Sequence, residues 1–135
     1  METDHDVKKS SKGMIWTGRF LSLLPVLLLL MSCSMKLMRN PMAVKGMTQE
    51  FGYPDGVVLP LGVVELACTI IYLIPQTAVL GAILLTGYLG GATATHVRAG
   101  EVFILPVLAG VMVWLGIFLR DRRLWALIPL RCLKK

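Results

Sequence analysis

The sequence has 135 residues, of which 56% are hydrophobic and 16% are charged, and it carries a formal net charge of +6. The hydrophobic fraction exceeds the roughly 45–50% of soluble globular chains, so a soluble domain would have no place for this much apolar surface. We therefore expect one small membrane domain. Because no nucleic-acid-binding motif is recognisable in the sequence, the positive charge is better explained by membrane topology and anionic lipid headgroups.

The apolar residues fall into four blocks that predict an all-α fold. Residues 1–14 form a polar N-terminal tail that we expect to be disordered. Each of the four blocks is close to the roughly 20 residues that a helix needs to cross a bilayer. The sequence thus predicts a four-helix transmembrane bundle over residues 15–119, followed by a basic interfacial tail at residues 120–135. The predicted spans are residues 15–37, 57–74, 78–95 and 102–119.

The first span also contains a pattern found in cleaved lipoprotein signals. Lysines precede an apolar run that ends in Leu30, Met31, Ser32 and Cys33. Met31 stands where such a signal usually has a small or β-branched residue, and a protein with three further spans gains little from an acyl anchor. We expect the first helix to be retained, and an N-terminal sequence beginning at Cys33 would contradict this.

The uncharged run from Leu66 to Thr95 must be divided between two spans, because its 30 residues would make a single helix of about 45 Å. Pro75 supplies the break, since proline lacks a backbone donor and disfavours helix at the residue before it. The sequence predicts a tight helical hairpin from Ile74 to Thr77.

Glu65 is the only charged residue inside the second span and the strongest functional candidate. A carboxylate is costly in a membrane, so Glu65 should face the bundle interior, be protonated or meet a partner. With Gly62, Cys68, Thr69 and Tyr72 at three- and four-residue spacing, it forms one small and polar helix face. Two interpretations stay open: a proton-accepting or ligand-binding group, and a protonated carboxyl that donates a hydrogen bond between helices.

The third span carries adjacent rows of small residues with a spacing of four. Rows of this kind let another helix come close, and we expect them to serve packing inside the bundle rather than a dedicated dimer interface. The predicted helix-packing residues are Gly87, Gly90, Gly91 and Ala94.

The orientation of the chain in the membrane follows from the basic residues, because ten of the 14 lysines and arginines lie on the side that holds both termini. By the positive-inside rule, both termini are predicted to be cytoplasmic. On the opposite side, Lys36, His96 and Arg98 either bind an anion or headgroup or, as is more common, anchor the chain at the interface.

The first loop, on that opposite side, is predicted to be partly structured. Asn40 is placed to cap a turn that Pro41 opens. Val44, Met47 and Phe51 follow at three- and four-residue spacing, which suits a segment lying on the membrane surface.

Two segments show a more specific pattern: SCSMKLMRNP at the end of the first span, and FGYPDGVVLPLGVVELACTIIYLIPQTAVLGAILLTGYLGGATATHVRAG through the second and third spans. In these segments the chain resembles the DoxX-like family of small four-helix membrane proteins. The resemblance covers about Trp16 to Arg131 and departs at Cys33, where such proteins more often have glycine. The matching positions include Ser32, Lys36, Pro41, Gly52, Tyr53, Pro54, Gly62, Glu65, Pro75 and Gly81.

The family takes its name from a subunit of a thiosulfate-oxidising, quinone-reducing membrane complex. The resemblance implies a redox-linked or accessory role and a location in the bacterial inner membrane, that is, the plasma membrane. It does not specify a reaction, so whether the protein is an enzyme is left open. No metal site is expected, because the cysteines and histidines lack the spacing of metal ligands.

Three functional hypotheses follow. The first, which we favour from the sequence, is an accessory or scaffold subunit that docks a membrane protein partner, because four short helices supply few catalytic groups. A second is a redox-linked subunit that binds a quinone or another small lipophile beside Glu65 and Tyr88. The third is a carrier of protons or small solutes that uses Glu65 as its switch.

Overall fold

The computed structural model describes residues 11–127, which form a helical bundle without strands in that range. This confirms the predicted all-α class. The helices are α1 (Lys12–Leu37), α2 (Pro41–Lys45), α3 (Val58–Leu73), α4 (Ala78–Ala99) and α5 (Ile104–Arg120). Shorter pieces are a π-helical turn (Gly46–Glu50) and two 3₁₀ turns (Asp55–Val57 and Arg122–Ala126).

The helix ends differ from the predicted spans where local capping extends a helix. α1 begins at Lys12, within the tail predicted to be disordered, because the Ser11 side chain accepts a hydrogen bond from the Met14 N–H and caps the first turn. The prediction of disorder is therefore wrong for Lys12 to Met14. α4 continues to Ala99 and ends at Gly100, which adopts the left-handed conformation with φ of 74°. The other parts of the predicted tails, residues 1–10 and 128–135, lie outside the described residues.

The hairpin between α3 and α4 is confirmed at residues 74–77. Ile74 leaves the helix with an extended backbone, φ −78° and ψ 118°, as expected for a residue before proline. Just beyond the turn the two helices touch backbone to backbone: a Cβ placed on Gly81 would lie 2.3 Å from the Cα of Tyr72. Glycine at this position is what allows α3 and α4 to pack so closely.

α1 and α5 also meet at glycines. A Cβ on Gly18 would lie 2.8 Å from the Gly116 carbonyl oxygen, and one on Gly116 would lie 2.1 Å from the Ser22 Oγ. These contacts join the start of α1 to the end of α5. Both belong to the half of the bundle that also contains the α3–α4 hairpin, which we call the terminal end.

Within residues 11–127 the small residues of α4 do not pack against another helix, so that prediction is wrong. Gly87, Gly90, Gly91 and Ala94 are all exposed, and a Cβ on any of the three glycines would meet no atom within 4 Å. α4 instead buries the neighbouring face, which carries larger side chains such as Leu85 and Leu89 and therefore makes more van der Waals contact with the other helices. We call the four exposed residues the small face of α4.

Neighbouring helices pack around the bundle in the order α1, α3, α4, α5, which places α1 and α4 across from each other. Opposite the terminal end lies the loop end, formed by residues 38–57 and by the turn between α4 and α5. After α5, the chain folds back on the terminal end, where Leu124 is buried and the Trp125 ring stacks on Phe118 with centroids 5.7 Å apart.

The outer surface of the bundle is apolar. Val63, Ile83 and Leu108, from three different helices, are 52%, 54% and 51% exposed. Among the described residues, three helical segments are long and apolar enough to cross a membrane, and α5 is an equally apolar helix of 17 residues. An apolar exterior on several such helices is typical of a multi-pass membrane protein.

Candidate ligand site beside a buried ion pair

Glu65 lies on the buried face of α3 and is 2% exposed. Gly62, Cys68, Thr69 and Tyr72 share that face and are also buried. The small, polar face of α3 thus turns toward the bundle interior, which is one of the three expectations stated for Glu65. A buried carboxylate needs hydrogen bonds and a counter-charge, and both come from α1.

Lys36 supplies the counter-charge: its Nζ lies 2.7 Å from Glu65 Oε2, and its side chain is 13% exposed. This corrects the prediction that Lys36 is a rim residue. In an α-helix the Cα–Cβ bonds tilt toward the N-terminus. Because Lys36 is next to the last residue of α1, its side chain points back into the bundle and away from the headgroups.

Four side chains make one hydrogen-bonded group, which we call the polar cluster: Ser32, Lys36, Glu65 and Tyr88. Lys36 Nζ donates to Ser32 Oγ at 2.8 Å, to Glu65 Oε2 at 2.7 Å and to the Tyr88 hydroxyl oxygen at 3.2 Å. Ser32 in turn donates to Glu65 Oε2 at 3.3 Å. An ammonium group has three N–H donors, so Lys36 is fully satisfied inside the protein.

Gly62 determines how closely α1 can bring Lys36 to α3. A Cβ at this position would lie 2.9 Å from the Lys36 Cβ. Gly62 stands one turn before Glu65, so the missing side chain leaves room for the stem of Lys36 next to the carboxylate. The spacing of Gly62 and Glu65 in the sequence is thus explained by the room that the Lys36 side chain needs between α1 and α3.

Thr69 and Tyr72 are buried but take no part in the polar cluster. Thr69 Oγ1 donates to the Glu65 carbonyl oxygen of its own helix at 2.7 Å. The Tyr72 hydroxyl hydrogen is shared between Ser22 Oγ and the Val113 carbonyl oxygen, each at 2.9 Å. Tyr72 therefore ties α3 to α1 and α5 at the terminal end, which is a structural contribution.

A cavity of about 580 Å³ extends from the polar cluster toward the loop end, between α1 and α4. Its walls are mostly apolar, and all four members of the polar cluster line its inner part. Tyr53, Thr95 and His96 supply polar groups near the loop end. Protein sites for small molecules commonly have such volumes, with apolar walls and a few placed polar groups.

The first loop covers this cavity. Asn40 caps α2 by accepting a hydrogen bond from the Met42 N–H at 3.0 Å, and Pro41 opens the helix, which confirms the predicted turn. Met47 and Phe51 line the cavity, so their predicted position on the membrane surface is corrected.

His96 and Arg98 hold this loop against α4. Arg98 Nη2 donates to the Phe51 carbonyl oxygen at 2.7 Å, and the His96 ring lies 4.8 Å from the Phe51 ring. The Tyr53 and Thr95 hydroxyl groups are 2.7 Å apart. Since Lys36 is paired with Glu65 further inside, the three predicted rim residues do not come together as one anion site.

The sequence did not reveal the pairing of Lys36 with Glu65 or the place of Ser32 beside them. One signal was present: Ser32 and Lys36 are four residues apart and so lie on one face of the first helix. The sequence did not show that the Lys36 side chain points back toward the bundle interior rather than out to the headgroups. Within residues 11–127, no group of three His, Cys, Asp or Glu side chains is arranged to hold a metal ion.

Comparison with known proteins gives one match. A family model described as the DoxX-like family matches residues 20–118, which include every member of the polar cluster. Comparisons with curated proteins and with solved structures give no match.

Proposed function

This chain belongs to the DoxX-like family, and we propose that it binds a small, amphiphilic lipophile in the cavity beside the polar cluster. One observation carries the proposal: an apolar cavity of about 580 Å³ has a hydrogen-bonded group of four polar side chains along its inner wall. A quinone-type compound fits this arrangement, because its ring can lie against apolar side chains while an oxygen meets the Tyr88 hydroxyl.

The lining of the cavity favours a ligand that comes from the bilayer. Leu28, Met31 and Leu105 line the cavity and are also exposed on the outer surface, at 39%, 59% and 60%. All three of these exposed lining side chains are apolar. A lipid-dissolved molecule can pass such side chains without losing favourable solvation, whereas a small hydrophilic solute cannot.

Filling the cavity should abolish binding. Ala92 lines the cavity, whereas Ala94, two residues further along α4, is on the exposed small face. We expect native mass spectra of the wild-type protein, gently extracted from its own membrane, to show bound small-molecule mass. Ala92→Phe should lose this mass, and the matched control Ala94→Phe should keep it. Equal ligand mass in Ala92→Phe and the wild type would contradict the proposal.

A second candidate is the accessory or scaffold role, and the small face of α4 favours it. Its four residues are exposed although small residues usually mark close helix contacts in membranes. The same native mass spectra test this role: a bound protein partner should be lost in Ala94→Phe and retained in Ala92→Phe. The opposite pattern would rule out the small face as the docking site.

The third hypothesis, a proton or small-solute carrier, remains a prediction. In the structure, Glu65 is hydrogen-bonded to Lys36 and Ser32, so a proton-carrying role would require this pairing to break in each cycle. Proton or solute flux in liposomes should then disappear in Glu65→Gln, and unchanged flux in that variant would exclude the role.

We further propose that all four long helices cross the plasma membrane of a bacterium with both termini in the cytoplasm. Support comes from the ten-to-four distribution of the 14 basic residues and from the length of α5, since 17 residues is near the lower limit for a span. In intact cells, a membrane-impermeant maleimide should label Gln49→Cys but not Gly13→Cys, both in a Cys132→Ser background. Labelling of Gly13→Cys in intact cells would contradict this orientation.

A further inference from the structure

We propose that residues 40–51 form a hinged lid, which swings away from α4 and opens the cavity to water at the loop end. Binding of a lipophile from the bilayer does not require such an opening, so the lid adds a second route into the cavity, from the aqueous side. Three features of the chain support the lid: the backbone at its two ends, its sparse packing, and the contact that keeps it closed.

Both ends of the lid are left-handed backbone positions. Arg39 has φ of 50° and follows α1, where the Asn40 N–H donates back to the Met35 carbonyl oxygen at 2.9 Å. Gly52 has φ of 72° and lies just beyond the π-helical turn. A left-handed conformation is costly for arginine, so Arg39 loses strain when its backbone rotates. Hinges are commonly a few residues at the ends of helices or loops, as these two are.

The chain on either side of the lid is fixed. Arg39 Nη2 donates to Asp55 Oδ2, which joins the two segments that flank the lid. Just past Gly52, the Tyr53 hydroxyl lies 2.7 Å from the Thr95 hydroxyl of α4. Because its two ends are held together and to the bundle, the lid can move as one unit, like other compact loops with neighbouring ends.

The lid itself is loosely packed. None of residues 40–51 is buried, although Ala43, Gly46, Met47 and Phe51 line the cavity. Segments with few buried contacts open locally at a low cost in free energy. The lid therefore covers the cavity without belonging to the core of the bundle.

Phe51 is the point at which the lid is fastened to α4. Arg98 Nη2 donates to the Phe51 carbonyl oxygen at 2.7 Å, and the Phe51 and His96 rings lie 4.8 Å apart. Within residues 11–127, no second hydrogen bond joins residues 40–51 to α4. Arg98 is thus the latch of the lid. Its removal should raise the open fraction about fivefold, which is the effect of one typical hydrogen bond on an equilibrium.

The rate at which a thiol inside the cavity is modified tests the lid. Ala92 lines the cavity, so Ala92→Cys carries the probe in a Cys132→Ser background. The reagent is a membrane-impermeant methanethiosulfonate with a quaternary ammonium group, applied to the full chain in nanodiscs of neutral lipid. Its permanent charge excludes it from hydrocarbon, so it must reach the thiol through water. Cys33 and Cys68 are buried, and the background protein alone measures any labelling of them.

We expect Ala92→Cys to be modified at least about tenfold more slowly than Gln49→Cys, which is exposed on the lid. Adding Arg98→Ala should make modification of Ala92→Cys about fivefold faster. The matched control is Lys45→Met, which also removes one positive charge from the loop end but leaves the latch intact. This control should change the rate by less than about twofold.

Two results would overturn the lid. Equal rates for Ala92→Cys and Gln49→Cys would show that the cavity is permanently open to water. Equal rates for Ala92→Cys with Arg98→Ala and with Lys45→Met would show that no latch at Arg98 controls access. Neither result alters the ligand mass expected in native mass spectra, so the lid and the proposed function can fail independently.

Discussion

Replacing Lys36 with methionine is expected to lower the free energy of unfolding by about 3 kcal/mol. The variant leaves the Glu65 carboxylate buried, at 2% exposure, without its counter-charge and with one hydrogen bond fewer. Unfolding of the purified protein, followed by circular dichroism while SDS is titrated into mild detergent micelles, measures this loss. The control is Lys45→Met on α2, where the lysine is exposed and its removal should change the free energy of unfolding by less than about 1 kcal/mol.

The double variant Lys36→Met/Glu65→Met separates the cost of an orphaned charge from the value of the ion pair. Buried ion pairs can often be replaced by apolar side chains with little loss of stability, because the desolvation cost of both charges disappears. We therefore expect the double variant to be more stable than Lys36→Met alone. A double variant as unstable as the sum of the two single variants would show that the polar cluster acts through independent contacts.

Replacing Gly81 with alanine is the second large effect, with an expected loss of about 1–3 kcal/mol. The new Cβ would lie 2.3 Å from both the Cα and the backbone nitrogen of Tyr72. A backbone cannot turn aside as a flexible side chain can, so α3 and α4 must separate. That shift would also disturb the Tyr72 hydroxyl, which links α3 to α1 and α5.

Gly90 on the same helix is the matched control for Gly81. A Cβ there would meet no atom within 4 Å, and alanine is the better helix former by up to about 1 kcal/mol. Gly90→Ala should therefore be as stable as the wild type or slightly more stable in the same SDS titration. Equal losses in Gly81→Ala and Gly90→Ala would mean that glycine content, rather than close packing of the hairpin, sets the stability of α4.

Most of the fold follows from local rules. The long apolar blocks predicted the helices, Pro75 predicted the hairpin, and Asn40 with Pro41 predicted the capped turn. These features depend on residues near one another in the chain. The ends of the helices were harder to predict than their existence, because a capping residue such as Ser11 extends a helix by about a turn beyond its apolar block.

The candidate site was only half predictable. The spacing along α3 showed which residues share a face with Glu65, because that spacing belongs to one helix. The partner on α1 depends on the direction of the Lys36 side chain and on the gap at Gly62, which are properties of two helices together. The prediction that the small residues of α4 pack inside the bundle was wrong for a related reason. Small residues permit a close helix contact, but the shape of the neighbouring helices determines which face of α4 is buried.

The two ends of the bundle differ in how closely their helices meet. The contacts at Gly18, Gly81 and Gly116 bring neighbouring helices together at the terminal end, whereas the cavity of about 580 Å³ beside the polar cluster lies toward the loop end. Closely packed protein interiors are nearly incompressible, and voids are the part that yields under load. Lateral pressure from the surrounding lipid will therefore deform the loop end first. The volume available to a ligand therefore depends on the tension and thickness of the bilayer, whereas the close helix contacts at the glycines keep the terminal end rigid.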